Sequence, residues 1–267
     1  MLKDITLGQF FPGTSVVHRL DPRTKLLLLV GYIVALFVAA GWVSYAVCFV
    51  FLAMSIAVSR IPLKAIFRGL KPLVVILIFT GILNLFFTPG TPIFQLGFLT
   101  VTWEGLAQAV KMMLRIMMLI SGTFLLTYTT SPIALTDGLE SLLGPLKAIK
   151  VPVHELSMMM CIALRFIPTL IEETDKIMSA QKARGADFES GNLLQRAKAL
   201  VPILVPLFIS AFRRADELAT AMECRCYQGG DGRTKMKLLR YRRDDYVGYL
   251  IGCVLVAGVI VLVSFGL

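Results

Sequence analysis

Acidic residues are scarce in this chain, and so are the side chains of metal and nucleophile chemistry. Its 267 residues hold 17 Asp and Glu against 27 Lys and Arg, with two histidines and five cysteines. The cysteines stand at 48, 161, 224, 226 and 253. Only Cys224 and Cys226 are close, and no second pair or histidine cluster completes a zinc set. His18 and His154 are the only histidines and nothing resembles a metal set, so no catalytic or metal centre is expected. The run "GGDGRTK" at 229–235 lacks the GxxxxGK[ST] spacing of a phosphate loop, so the chain is not expected to bind or hydrolyse ATP itself. A leader is missing too. The first twenty residues hold Asp4, Pro12, Gly13, His18 and Arg19 in place of a short apolar core and a cleavage site, and the N-terminus is expected to be retained.

Charge is absent altogether from Leu26 to Ser59. The chain is 57% hydrophobic, above the roughly 45–50% of soluble domains, and the excess lies in runs, as membrane spans require. The net charge of +10 then reflects Lys and Arg gathered on the cytoplasmic side, and no nucleic-acid partner is expected.

The uncharged run at 26–59 would make about 50 Å of helix, too long for one crossing of a core about 30 Å thick. "AAGW" at 39–42 breaks it into two spans, about 26–40 and 43–58. "RIPLKAIFRGLK" at 60–71 holds cations and no acid and reads as a cytoplasmic amphipathic linker. Spans follow at about 73–87 and 105–128. The connection between them, from Thr88 to Gly105, has no Lys or Arg and belongs outside. A last span, about 246–265, follows the basic collar "KMKLLRYRRDD". Within it Gly248 and Gly252 mark a close packing face. Lys111 and Arg115, one turn apart in the fourth span, are functional candidates as membrane charges; alternatively they snorkel outward or face a polar seam between helices. In "HRLDPRTK" at 18–25, Asp21 either caps the helix beginning at Pro22 or meets a partner.

The architecture expected is an all-α integral membrane protein: about five transmembrane helices plus a cytoplasmic-side domain of long helices. Its parts are a transmembrane region at 1–128, a cytoplasmic domain of long helices at 129–240, and a C-terminal transmembrane helix at 241–267. Residues 129–245 carry 17 of the 27 cations and 14 of the 17 acids, yet they are not ordinary soluble sequence. "ELSMMMCIALRFIPTLI" at 155–171 is apolar apart from its first residue and Arg165, then gives way to "EETDKIMSAQKARGAD". Pro168 should kink this helix or relax its ladder. "ALVPILVPLFISAF" at 199–212 and "RRADELATAMECR" repeat the plan, with Pro202 and Pro206 placed near the helix start. Both helices are expected to stop at glycines, Gly185 and the "GGDG" at 229–232. At an offset of 41, Asp175 matches Asp216, Ala180 matches Ala221 and Arg184 matches Arg225.

Each repeated helix thus ends on an arginine between small residues. A terminal arginine is favoured by the negative end of its own helix, which would account for either one. Two at matched positions can instead offer planar guanidinium forks to the carboxylates or carbonyls of a partner that approaches the backbone closely.

Four stretches, "GTSVVHRLDPRTKL" at 13–26, "SPIALTDGLESLLGPLK" at 131–147, "ALRFIPTLIEETDKIMSAQKARGAD" at 163–187 and "ADELATAMECRCYQGG" at 215–230, together resemble the transmembrane T component of energy-coupling factor (ECF) transporters. The resemblance implies a scaffold, not an enzyme. It implies a multi-pass protein of the prokaryotic cell membrane, with N-terminus and coupling domain cytoplasmic. Its partners would be two cytoplasmic ABC-type ATPases, one substrate-binding membrane S component and the lipid bilayer. The chain would hold no cofactor; ATP-Mg would sit in the ATPases. Two coupling helices would cross in an X and dock through X-Arg-X motifs, here Ala183-Arg184-Gly185 and Cys224-Arg225-Cys226. The second keeps small flanks but lacks the glycine. Met158, Met159 and Met160, with Phe166 and Pro168, would contact the S component, the methionines offering adaptable packing. The cargo would be a vitamin or another micronutrient. The rival expectation is a secondary transporter with its own substrate site, which needs ionisable groups at mid-membrane.

Overall fold

A computed structural model describes residues 10–96, 99–186, 188, 192–230 and 238–266. Its helices are α1 (Val16–Arg19), α2 (Pro22–Val38), α3 (Trp42–Ser59), α4 (Leu63–Leu70), α5 (Val74–Phe87), α6 (Trp103–Thr129), α7 (Pro132–Leu142), α8 (Val153–Ala183), α9 (Leu193–Glu223) and α10 (Arg243–Ser264). The all-α membrane plan stands, with one addition. The stretch expected as a plain connection forms a short antiparallel hairpin, β1 (Pro92–Leu96) and β2 (Leu99–Thr102). Thr102 ends it by capping α6: its hydroxyl accepts from Gly105 N and donates to Thr88 O, both at 3.0 Å.

Five stretches among the described residues are long and apolar enough to cross a membrane: Trp42–Ser59, Leu63–Phe87, Trp103–Thr129, Val153–Ala183 and Arg243–Ser264. They differ from the expected spans in two places. The helix α2 has 17 residues, about 25 Å, a little under the hydrocarbon thickness of about 30 Å. And α8, whose first half is apolar, has the length and composition of a span.

The chain divides into two compact units. The larger comprises Gly8–Gly138 with Leu239–Leu267, the smaller Leu139–Leu238. In the larger unit, Tyr32, Ala35 and Leu36 of α2, Tyr45, Cys48 and Leu52 of α3, Met118 of α6, and Leu255 and Val259 of α10 form the buried core. Small residues set its helix spacing. A Cβ on Gly252 would collide with Leu28, and one on Gly248 would touch Leu28 and Thr24, so α10 lies close on α2, the packing face its two glycines mark.

Cations close both ends of this unit. Lys25 is buried; its Nζ donates to Thr129 O at 3.0 Å, His18 O at 3.3 Å and Thr130 Oγ1 at 3.2 Å. It thereby satisfies one carbonyl that the last turn of α6 leaves open and one in the last turn of α1. At the opposite end of α2, Lys111 Nζ donates to Ala40 O and Arg115 Nη2 to Ala39 O, both at 2.9 Å. Lys111 also lies over the Trp42 ring, and Arg115 between Phe37 and Tyr45, cation–π contacts that favour the charge. Of the two readings of these membrane cations, the polar seam between helices is the one observed: they cap the broken α2–α3 corner.

Asp21 is the N-cap of α2, accepting from Arg23 N at 3.0 Å. Its own N–H donates to the buried Asp245 Oδ1 at 2.8 Å, and Asp245 Oδ2 accepts from Arg242 N at 2.7 Å. One carboxylate thus fastens the starts of α2 and α10, consistent with the rule that a buried charge keeps its hydrogen bonds.

Candidate functional site

The smaller unit is built on α8 and α9, each 31 residues long. They pack in antiparallel sense. Arg214 Nη2 of α9 donates to Glu173 Oε2 of α8 at 2.9 Å, and Gln181 Nε2 donates to Pro202 O at 3.2 Å. Glu173 and Arg214 are themselves 41 apart, the offset of the sequence repeat. This ion pair therefore joins equivalent positions of the repeat. Arg184 and Arg225 each lie eleven residues beyond it, equal arms of about 16 Å running in opposite directions.

Proline placement differs from expectation. Pro202 and Pro206 are interior to α9, which begins at Leu193, rather than near its start. An interior proline leaves the carbonyl four residues earlier without its ladder donor. For Pro206 that carbonyl belongs to Pro202, and the Gln181 amide takes it. The cost of the proline becomes a specific contact between the helices.

Both arms end in one geometry. After α8, Ala186 N donates to Gln181 O at 3.0 Å and Gly185 N to Lys182 O at 3.0 Å. After α9, Tyr227 N donates to Met222 O at 3.1 Å and Cys226 N to Glu223 O at 2.8 Å. The long bond spans six residues in each case, the mark of a Schellman exit with a left-handed residue inside it. That residue is Gly185 at φ 87 and Cys226 at φ 53. The second helix therefore does not stop at the "GGDG" run. It turns at Cys226, and the local hydrogen bonds hold a cysteine in a conformation that favours glycine. The departure from Ala-Arg-Gly leaves the backbone plan unchanged.

All six motif residues, Ala183, Arg184, Gly185, Cys224, Arg225 and Cys226, are exposed. Among the described residues neither guanidinium has a hydrogen-bond or ion-pair partner. A Cβ on Gly185 would meet nothing within 4 Å, so a partner can approach the backbone there.

The tips differ in what supports them. Behind the second, the chain returns over the start of α8, where a Cβ on Gly230 would fall 2.5 Å from His154 Cδ2. His154 Nδ1 donates to Glu140 Oε1 and Ser157 Oγ to Glu140 Oε2, both at 3.1 Å. His154 Nε2 is buried with no partner among the described residues. This buttress was not legible in sequence, because it joins residues 140, 154 and 230 across long separations. Around the first tip, residues 187 and 189–191 lie outside the described set.

The predicted contact residues for a membrane partner are spread along α8. Met159, Met160 and Pro168 are exposed, and Met158 and Phe166 half-buried. Sequence reasoning missed their counterpart on α9. Leu200, Leu204, Phe208 and Phe212 form one exposed row at four-residue spacing, and Val201, Val205 and Ile209 the next. The spacing was present in the sequence, but the two prolines obscured it.

The profile of the CbiQ family, described as cobalt transport protein, matches residues 13–236. Among curated relatives, the energy-coupling factor transporter transmembrane protein EcfT of Thermosediminibacter oceani is 58% identical over 257 residues, 96% of this chain and 97% of that protein. EcfT of Clostridium kluyveri is 58% identical over 258 residues, 96% of each chain. EcfT of Bacillus subtilis is 52% identical over 246 residues, 92% of this chain and 93% of that protein. A helical, multi-pass chain ending two equivalent helices on exposed arginines, with such relatives over nearly its full length, belongs to the family of transmembrane T components of ECF transporters.

Proposed function

We propose that this energy-coupling subunit joins two cytoplasmic ABC-type ATPases to a substrate-capturing membrane S component, for uptake of a vitamin or another micronutrient. Arg184 and Arg225 each dock one ATPase. ATP-Mg is bound and hydrolysed in those ATPases, not in this chain. The N-terminus and the two arginine tips face the cytoplasm. The observation that carries this reading is the pair of matching helix exits, equidistant from one ion pair and each presenting an unpartnered guanidinium.

The mechanism follows from the geometry. ATP-driven closure of an ATPase pair changes the separation of its docking grooves, and therefore of the tips. Arms of equal length crossing at Glu173 and Arg214 turn that displacement into a change of crossing angle. The apolar halves of α8 and α9 then shift against the S component. Met158, Met159, Met160, Phe166 and Pro168 line its seat on α8, and Leu204, Phe208 and Phe212 extend it on α9. Each such side chain removed from water by the partner contributes about 1.5–3 kcal/mol at most, whereas those leaving lipid gain only packing contacts.

The rival, a substrate site within this chain, is disfavoured by what surrounds its candidate charges among the described residues. Lys111 and Arg115 are the charges it would use, and the carbonyls and rings around the end of α2 engage both.

The test uses the full complex in liposomes. Replacing Arg184 and Arg225 together with alanine should abolish ATP-dependent uptake while the membrane subunits still insert. Normal uptake by that variant would end the proposal, as would ATP-independent uptake by this chain alone.

A further inference from the structure

A second cationic site lies in the larger unit, well away in sequence from the arginine tips. The N-terminus of α2 and the C-terminus of α3 lie at the same end of their hairpin, where the apolar run 26–59 gives way to charge. Here α1 and the end of α3 enclose an open cleft of about 640 Å³. Arg19 of α1 and Arg60 after α3 both line it, together with the exposed apolar Val16, Ala57 and Val58 and with Thr14 and Ser15. Both arginines are exposed, and among the described residues neither has an ion-pair or hydrogen-bond partner.

Three further observations bear on the occupant. First, Arg60 holds the left-handed C-cap of α3 at φ 56, where glycine would be the easier residue. Nothing within the described fold uses the guanidinium that stands there instead. Second, the cleft is cationic without an acid. Its neighbour His18 has its ring committed to Ser15 Oγ and Phe11 O, and burial lowers its pKa from the usual value. Third, the adjoining α4 continues the field. Lys64 and Arg68 lie one turn apart, Lys71 follows, and no acid occurs from 60 to 71. The helix is seated firmly: Ile66 is buried, a Cβ on Gly69 would fall 2.5 Å from Phe124, and Leu63 and Phe67 stay exposed. Exposed apolar side chains beside cations, at the end of a membrane span, suit the boundary between acyl chains and headgroups.

We propose that this cleft holds the phosphate of an anionic phospholipid between Arg19 and Arg60, with its glycerol and first methylenes on Val16, Ala57 and Val58. A guanidinium pair matches a phosphodiester's oxygens better than ammonium groups would. The site is independent of the tips and of the ATPase proposal.

The probe is lipid binding to the purified full chain, read by native mass spectrometry during titration with phosphatidylglycerol or phosphatidylcholine. The wild type should prefer phosphatidylglycerol by roughly 10- to 30-fold, the scale of two cations near a membrane surface. Arg19→Gln with Arg60→Gln should reduce that preference by at least about fivefold, what remains belonging to Lys64, Arg68 and Lys71 on and just after α4. Arg19→Lys with Arg60→Lys should keep most of it, and Arg240→Gln with Arg243→Gln, just before and at the start of α10, should lower it less than the Arg19 and Arg60 glutamine pair does. Equal binding of the two lipids by the wild type would overturn the proposal. So would an undiminished preference in the double glutamine variant, or displacement of the lipid by millimolar inorganic phosphate, which would make the cleft a site for a free anion.

Discussion

The two arginine tips have the same backbone and different chemistry. After α8, a glycine holds the left-handed residue of the exit. After α9, a cysteine holds it, and the chain returns onto the His154 ring. The Schellman hydrogen bonds and the equal distances from the Glu173–Arg214 pair are common to both. What the molecule keeps constant is therefore where each guanidinium is presented. The residue type at the turn is free to vary wherever a local buttress offsets its conformational cost. Under the proposed function, two docking points for two ATPases would need that equality of placement, not equality of sequence.

Removing both guanidiniums should have the largest effect, since it abolishes the feature the tips share. Removing one partner from a desolvated charge pair costs about 2–5 kcal/mol or more. Arg184→Ala or Arg225→Ala alone should each weaken ATPase binding at least thirtyfold, measured by surface plasmon resonance on the reconstituted membrane subunits. If the arms are equivalent, the two losses should agree within a few-fold. A loss confined to one arginine would break the comparison.

The buttress gives the next effect. Gly230→Ala drives a methyl into His154 and should lower the thermal midpoint of the full chain by several degrees, about 1–3 kcal/mol of overpacking. His154→Ala opens the space. Combining it with Gly230→Ala should recover part of the loss, a coupling of about 0.5–3 kcal/mol. Additive losses would mean that His154 and Gly230 do not bear on each other.

The left-handed residues should respond in opposite directions. Cys226→Gly relieves a strained position and should raise the thermal midpoint, with a gain of about 1 kcal/mol. Gly185→Ala should lower it by a similar amount, although its side chain meets open space. ATPase affinity should change little in either variant, because neither moves the arginine. The crossing pair comes last. Exchanging its charges, Glu173→Arg with Arg214→Glu, should cost under about 1 kcal/mol, as for most partly exposed pairs.

Much of this was legible in sequence. The uncharged run 26–59, the break at "AAGW" and the charge-rich segment after 129 gave the membrane plan. The 41-residue offset gave two equivalent arginines. Features set by chain return were not legible. Gln181 pairs with Pro202 because Pro206 frees a carbonyl, and that needs both helices in place. The turn at Cys226 was hidden by a stronger glycine signal a few residues later. Lys111 and Arg115 were visible as charges, but their role as caps of α2 depends on how α6 lies against the hairpin. The strands at 92–102 form from β-branched and aromatic residues within a stretch too short and proline-marked for a helix.

Native mass spectrometry of the assembled complex tests the central claim most directly, by counting ATPase subunits retained per T component. The account predicts two for the wild type and none for Arg184→Ala with Arg225→Ala, the S component remaining bound in both. Two ATPases retained by the double variant would contradict it.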